Sequence, residues 1–173
     1  MTLGITLSDF QGFGALIARP ICSDNVRQAY LLAQLHWQNL SFVDWLNMVA
    51  RSSQYHGASN CERTGAHSGW IAVEGPRQCV YAIGYCEMVQ SLDRGATLRA
   101  SNVVVVDQPL AQAALVMCQC LSFLAKKAGA RSLSIECNSQ TSSETLADMQ
   151  ESFGTHGWLA KTSIALQAQP MWN

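Results

Sequence analysis

Three carboxylates stand in or beside apolar stretches of this sequence that read as strands: Glu74, Glu87 and Glu136. A carboxylate so placed can take a proton from an attacking nucleophile, directly or through water, and so act as a general base. Glu87, within a long strand, and Glu74, at the end of the strand before it, are the first two candidates; Glu136 is the third. The plainer role for each is an exposed strand carboxylate or an ion-pair partner. The backbone offers a second kind of chemistry. Asp107-Gln108-Pro109 joins a valine-rich strand to a long helix. The first N–H groups of a helix have no partner within it and carry partial positive charge, which suits a phosphate. No glycine occurs between Gly95 and Gly129, so the turn lacks the residue that lets a backbone close tightly around a pyrophosphate.

Other chemistries are poorly served. The seven cysteines, at 22, 61, 79, 86, 118, 120 and 137, form no Cys-x-x-Cys pair. The four histidines show no ligand spacing, so no metal site is expected. Cys118 and Cys120 lie two apart on a helix and do not share a face. Most of these thiols read as small buried apolar residues of a reducing compartment. No Ser-His-Asp or Cys-His constellation, phosphate-binding loop or dinucleotide fingerprint is present.

Composition narrows the partners. Net charge is −1 and the 11 Lys and Arg are scattered, so no basic field draws nucleic acid. Charged residues make up 13% of the chain, against roughly 25% in an average soluble domain. So sparse a charge leaves room for exposed apolar surface and for a homo-oligomer. No apolar run approaches the ~18 residues of a membrane span. No positive charge precedes an apolar run in the first twenty residues, so a signal peptide is not expected. A cytoplasmic chain forming one domain over 1–173 is the expectation.

The elements that must position these groups follow from periodicity. Residues 1–13 are ambiguous; 15–19 read as a strand stopped by Pro20. Ser23 or Asp24 can cap a helix to about Gln38, with Val26, Ala29, Tyr30, Ala33 and Trp37 on one face. Ser41 and Asp44 resemble a capping box opening a second helix, with Phe42, Trp45, Leu46 and Val49 as its stripe. Residues 51–69 read as a long polar loop, solvated or acting as a flap. Three strands follow: 70–74, 78–90 with a bulge marked by Gly84, and 96–106 after an Asp93-Arg94-Gly95 turn. Helical spacing over 110–128 ends at Gly129. A strand at 132–136 then implies a parallel crossover. Thr141 and Glu144 open a helix to about Phe153, turning Leu146, Met149 and Phe153 inward. A last strand covers 161–167.

That order is strand, two helices, three antiparallel strands, helix, strand, helix, strand. It resembles the GNAT superfamily, the acetyl-CoA-dependent N-acyltransferases, over roughly residues 15–167. Asn102-Val103-Val104-Val105-Val106-Asp107 is similar to the family's central strand. Ala130-Arg131-Ser132-Leu133-Ser134-Ile135-Glu136-Cys137-Asn138 is similar to the strand after it, and His156-Gly157-Trp158 to the Gly-Phe pair that follows the last helix. The resemblance implies an α/β fold, GNAT-like, with a mixed, mostly antiparallel sheet flanked by helices. It implies acetyl-CoA or another acyl-CoA as cofactor, and a small-molecule or peptide amine as acceptor, with no nucleic acid and no membrane.

By the same resemblance, Val104 and Val106 meet the cofactor's pantetheine arm where the central strand parts from the next. Gln108, Ala111, Gln112, Ala113 and Ala114 lie where the pyrophosphate is held, and Asn138 takes the place of a frequent asparagine. Gln108-Pro109-Leu110-Ala111-Gln112-Ala113 departs from the family's Gln/Arg-x-x-Gly-x-Gly/Ala at the middle glycine. The family's proton-donating tyrosine in the last helix is replaced by Phe153, with Cys137 or His156 as substitutes. Tryptophans 37, 45 and 70 are expected in the core or around an apolar acceptor pocket. Two functions remain: an acyl-CoA-dependent N-acetyltransferase using Glu87 or Glu74 as base, or a catalytically inactive GNAT-like binding or assembly module. A smaller share belongs to an unrelated α/β domain that binds a thiol or ligand.

Overall fold

Six strands make one sheet in chain order: β1 (Ile17–Pro20), β2 (Ser68–Glu74), β3 (Val80–Ser91), β4 (Gly95–Val105), β5 (Ser132–Cys137) and β6 (Ala160–Ile164). The computed structural model describes residues 16–57, 68–91, 95–106, 112–137, 142–155, 158 and 160–164. Strands β1 to β4 pair antiparallel, and β5 and β6 add on in parallel. Parallel neighbours need a crossover. Helix α3 (Gln112–Lys127) supplies the first and α4 (Ser143–Thr155) the second. Helices α1 (Val26–His36) and α2 (Phe42–Gly57) precede β2.

Each face of the sheet buries its own core. Leu98, Ala100, Val103, Leu133, Ile135 and Cys137 pack against α3 and α4, including Met117, Leu121, Met149 and Phe153. Trp70, Ala72, Ile83 and Val104 pack against α1 and α2, including Ala29, Leu32, Trp45 and Val49. Helix α3 is buried on almost every side, from Ala113 to Ala125. Its end matches the expected stop: Gly129 has φ +69 and donates to the Lys126 carbonyl at 3.1 Å, while Ala130 donates to Ala125 at 2.9 Å. Such i→i−5 closure takes up carbonyls that the helix end leaves free. Among the described residues, no helix is long and apolar enough to cross a membrane.

One residue sets the phase of the central strand. Before Ser101, even-numbered side chains of β4 face α3 and α4; after Asn102, the odd-numbered Val103 does so and Val104 faces α1 and α2. The registers on both sides record the slip. Ile83 pairs with Val104 but Tyr85 with Ser101, and on β5 Ala100 pairs with Ile135 but Val103 with Cys137. This is a β-bulge, two residues against one. Asn102 carries it at φ +54, a conformation that asparagine tolerates better than branched residues. Gly84, expected to be the bulge, instead faces it across the ladder. A Cβ there would lie 3.2 Å from Val103 Cγ2, so the glycine makes room for the displaced strand.

Local boundaries differ from the sequence reading in instructive ways. Helix α1 starts at Val26 with Asn25 in the cap position, and neither Ser23 nor Asp24 caps it; these two bond to each other at 3.1 Å. The capping role at α4 falls to Ser142, whose Oγ accepts from Thr145 N–H at 3.1 Å; Thr141 lies outside the described residues. At α2 half of the expected box forms: Asp44 N–H donates to Ser41 Oγ at 3.1 Å, and that hydroxyl in turn donates to Asp44 Oδ2 at 2.5 Å. Leu46, expected inward, is 39% exposed. The loop expected from residue 51 is helical to Gly57. Its polar residues lie on a helix end where Ser52 donates back to the Val49 carbonyl at 2.7 Å; residues 58–67 are not among those described.

The bulge generates a stability test. Asn102→Gly should melt within ~1 kcal/mol of the parent, whereas Asn102→Val should lose on the order of 1–3 kcal/mol. Urea unfolding followed by circular dichroism measures both.

Candidate active site

The three candidate carboxylates meet different fates. Glu74, at the end of β2, is 8% exposed. Asn25 donates its side-chain N–H to Glu74 Oε1. The same amide donates to the Pro20 carbonyl at 3.1 Å, and its Oδ1 accepts from Cys22 N–H at 2.8 Å. Glu74 therefore anchors the β1–α1 connection. Glu136, on β5, accepts from Arg99 Nη2 at 3.1 Å in a pair whose side chains are 31% and 50% exposed. An ion pair so exposed is worth at most ~1 kcal/mol, but it occupies the carboxylate. Glu87, half-buried on β3, pairs in register with Arg99 on β4 and Ser68 on β2. Arg99 has turned to Glu136, and no hydrogen bond or ion pair reaches Glu87 from the described residues.

The sheet does not bring Glu74 and Glu87 together. Glu74 pairs with Val80, and Glu87 with Ser68 at the other end of the same hairpin, so at about 3.3 Å per residue they stand ~20 Å apart. Glu87 lies two residues beyond Tyr85, on the α1–α2 face and next to the bulge, because Tyr85 pairs with Ser101. An aromatic chain covers that face. Trp37 meets Trp70 at 6.2 Å, Trp70 meets Tyr85 at 5.5 Å and Trp45 meets Trp70 at 4.9 Å between ring centroids. Trp45 is 0% exposed and donates its Nε1 to the Val26 carbonyl at 2.9 Å, so it is core rather than pocket wall. Trp70, at 5%, is core as well. Only Trp37 of the three keeps an exposed edge.

His36 ends α1 beside Trp37, with centroids 4.7 Å apart. Burial lowers its pKa, and its Nδ1 is buried without a partner. Sequence spacing gave it no role. Signals for Asn25 and Arg99 were also absent, because their partners come from distant strands.

The residues matched to a cofactor lie at the carboxyl end of β4. The described β4–β5 ladder ends at Val103 opposite Cys137, while β4 runs on to Val105. Val106 donates its N–H to the Tyr81 carbonyl, toward β3, at 2.9 Å. The Val104 side chain is buried, 4% exposed, and Val106 is half-buried. Ala113 and Ala114 are 0% and 1% exposed, so both methyl groups belong to the core and only their backbone can serve a ligand. Gln112 is exposed at the first helical position. Gln108, Ala111 and Asn138 lie outside the described residues, as does His156.

Phe153 is fully buried, and so is Cys137, whose Sγ sits 3.9 Å from Met149 Sδ. Along the flank of α1 runs an open groove of about 690 Å3, with Leu31 and Leu35 on one side and Val80 and Val106 on the other.

Neither a protein-family model nor a curated protein matches the sequence. Solved structures do. The chain is similar to glucosamine-6-phosphate N-acetyltransferase from Arabidopsis thaliana, with a TM-score of 0.59 and 14% identity over 92% of this chain and 100% of that one. It is similar to aminoglycoside 6′-N-acetyltransferase from Acinetobacter baumannii, at 0.56 and 12% over 91% and 99%. An aminoglycoside N-acetyltransferase in complex with CoA matches at 0.53 and 12% over 90% and 95%. The fold of this chain is thus the GNAT fold, as its element order implied.

The buried thiols make a pH prediction. Burial pushes Cys86 and Cys137 up to about 12 from 9.0, and raises Cys118 and Cys120 as well. The unfolded chain therefore sheds these protons first as pH rises. Their contribution to stability is complete below an unfolded pKa near 9.0 and is lost as pH climbs toward about 12. The melting temperature should fall between about pH 8 and about pH 10.5. Thiol reagents at the lower pH should label Cys22 and Cys79, which are exposed, well before the four buried ones.

Proposed function

We propose that this protein is an acyl-CoA-dependent N-acetyltransferase whose general base is Glu87. The observation that carries the proposal is the bulge at Asn102, which slips β4 by one residue against β5 and sends Val104 and Val105 on toward α3. A parallel pair whose register slips there, with a helix start downstream, suits a pantetheine arm on β4 backbone and a pyrophosphate at the helix N-terminus. Val105, whose backbone faces away from β3, would hold the arm, flanked by Val104 and Val106, whose own N–H and C=O groups serve the β3 ladder. The N–H groups at Gln112, Ala113 and Ala114 would face the pyrophosphate, with Gln108 and Ala111 before them. Buried methyls at 113 and 114 fit this role, because they do not stand in front of the helix start. Acetyl-CoA would supply an activated thioester.

The rest is the work of this chain's residues. An amine reaches the thioester from the α1–α2 face, where the bulge at Asn102 turns β4 and where Glu87 has no partner among the described residues. Glu87 takes the amine's proton, directly or through one water. Backbone N–H groups of β4 polarise the carbonyl. Glu74 is held by Asn25 and serves the fold. Phe153 has no proton to give, so the departing thiolate is not protonated from that position.

Two measurements test the proposal. Millimolar acetyl-CoA should raise the melting temperature, and Ala111→Arg should abolish the rise; no rise with any acyl-CoA would sink the cofactor assignment. In a thiol-release assay with an amine panel, Glu87→Gln should lower kcat about 10²- to 10⁴-fold at an unchanged melting temperature. Glu74→Gln should do the reverse, costing stability at a nearly unchanged kcat.

A further inference from the structure

Among the described residues of β2 to β5, Arg99 is the one cation, set against three carboxylates, Glu74, Glu87 and Glu136. Glu74 lies at the far end of the β2–β3 hairpin and is bound by Asn25. The other two flank Arg99 on the α1–α2 face. Glu87 is its direct cross-strand partner on β3. On β5 its partner is Ser134, and Glu136 stands diagonally, two residues further along.

Arg99 takes the more distant of the two. Directly opposed side chains in an antiparallel pair have Cβ atoms about 4.5–5.5 Å apart, and a diagonal neighbour is farther, within reach of a long side chain. Yet Nη2 of Arg99 lies 3.1 Å from Glu136 Oε2, and Glu87 is left without a partner among the described residues. The pair is exposed, 50% at Arg99 and 31% at Glu136, so water screens it and it holds the guanidinium only loosely. Ser68, opposite Glu87 on β2, and Ser134, opposite Arg99 on β5, carry no charge that would hold it elsewhere. A guanidinium released from Glu136 therefore has Glu87 as its nearest carboxylate. There its fork of donors would occupy the oxygens that a general base needs open.

We propose that Glu136 is a positioning residue: it holds Arg99 away from Glu87 and so keeps the base open. The proposal rests on the acyltransferase reading above, in which Glu87 takes the amine's proton. Glu136 acts through Arg99 rather than on the substrate.

Suppression of one variant by another tests this. In the thiol-release assay, Glu136→Gln should lower kcat roughly three- to tenfold, with KM for the amine and the melting temperature little changed. Adding Arg99→Gln should bring kcat back to that of Arg99→Gln alone, because the blocking guanidinium is gone. An ion pair that serves only the fold gives no such recovery. A crystal structure of Glu136→Gln should place the Arg99 guanidinium within hydrogen-bond distance of Glu87. An unchanged kcat in Glu136→Gln, a double variant as slow as the single one, or a guanidinium that stays clear of Glu87 overturns the assignment. The two readings fail separately. Loss of activity in Glu87→Gln beside full activity in Glu136→Gln rejects the positioning role alone. Full activity in Glu87→Gln, or no thiol release by the parent from any acyl-CoA, rejects the acyltransferase reading, and the crystal structure still decides where Arg99 goes.

Discussion

A single extra residue in β4 governs what this sheet can present. Period-two alternation would carry Leu98, Ala100 and their successors on one face to the strand's end. The bulge at Asn102 breaks that rule between the two halves of the strand. The first half pairs with β5 in one register and Val103 in another; after the bulge the strand turns Val104 toward α1 and α2 and leads into α3. Had the strand stayed regular, Val104 would join the α3 core and Val103 would turn the other way. Gly84 on the neighbouring strand and the slipped register with β5 are both accommodations to that one insertion.

The carboxylates show how tertiary structure sorts residues that look alike in sequence. Glu74, Glu87 and Glu136 all sit in strands, and nothing in their neighbours along the chain separates them. The fold does so through partners. An amide from the turn before α1 binds Glu74, a guanidinium from β4 binds Glu136, and Glu87 is left beside the aromatic face. Among the described residues Glu87 alone of the three has no hydrogen-bond or ion-pair partner, which makes it a better candidate for chemistry than its paired neighbours.

Much of the architecture was legible because long elements advertise themselves. The stripe from Ala113 to Leu124, the glycine after it and the valine run fixed α3, its stop and the central strand from local pattern alone. The misplacements have a common cause. Asn25 displaces Ser23 and Asp24 because its side chain is spent on Pro20, Cys22 and Glu74, contacts that no window of sequence contains. Residues 51–57 were hidden as helix because their polarity mimics a loop, while Asn102 was hidden inside a β-branched run where a left-handed residue is not expected. Leu31 and Leu35 stand in the sequence as an apolar pair outside the inward stripe of α1.

Helix α3 has an implication for how the protein is made. Its surface is greasy on nearly every side, and the residues that cover one of those sides, Met149 and Phe153, come later in translation. At typical ribosomal speeds this leaves the bare helix waiting for a few seconds. During that interval the nascent polypeptide offers chaperones a sticky target, so slowing or truncating synthesis before α4 emerges favours aggregation over maturation.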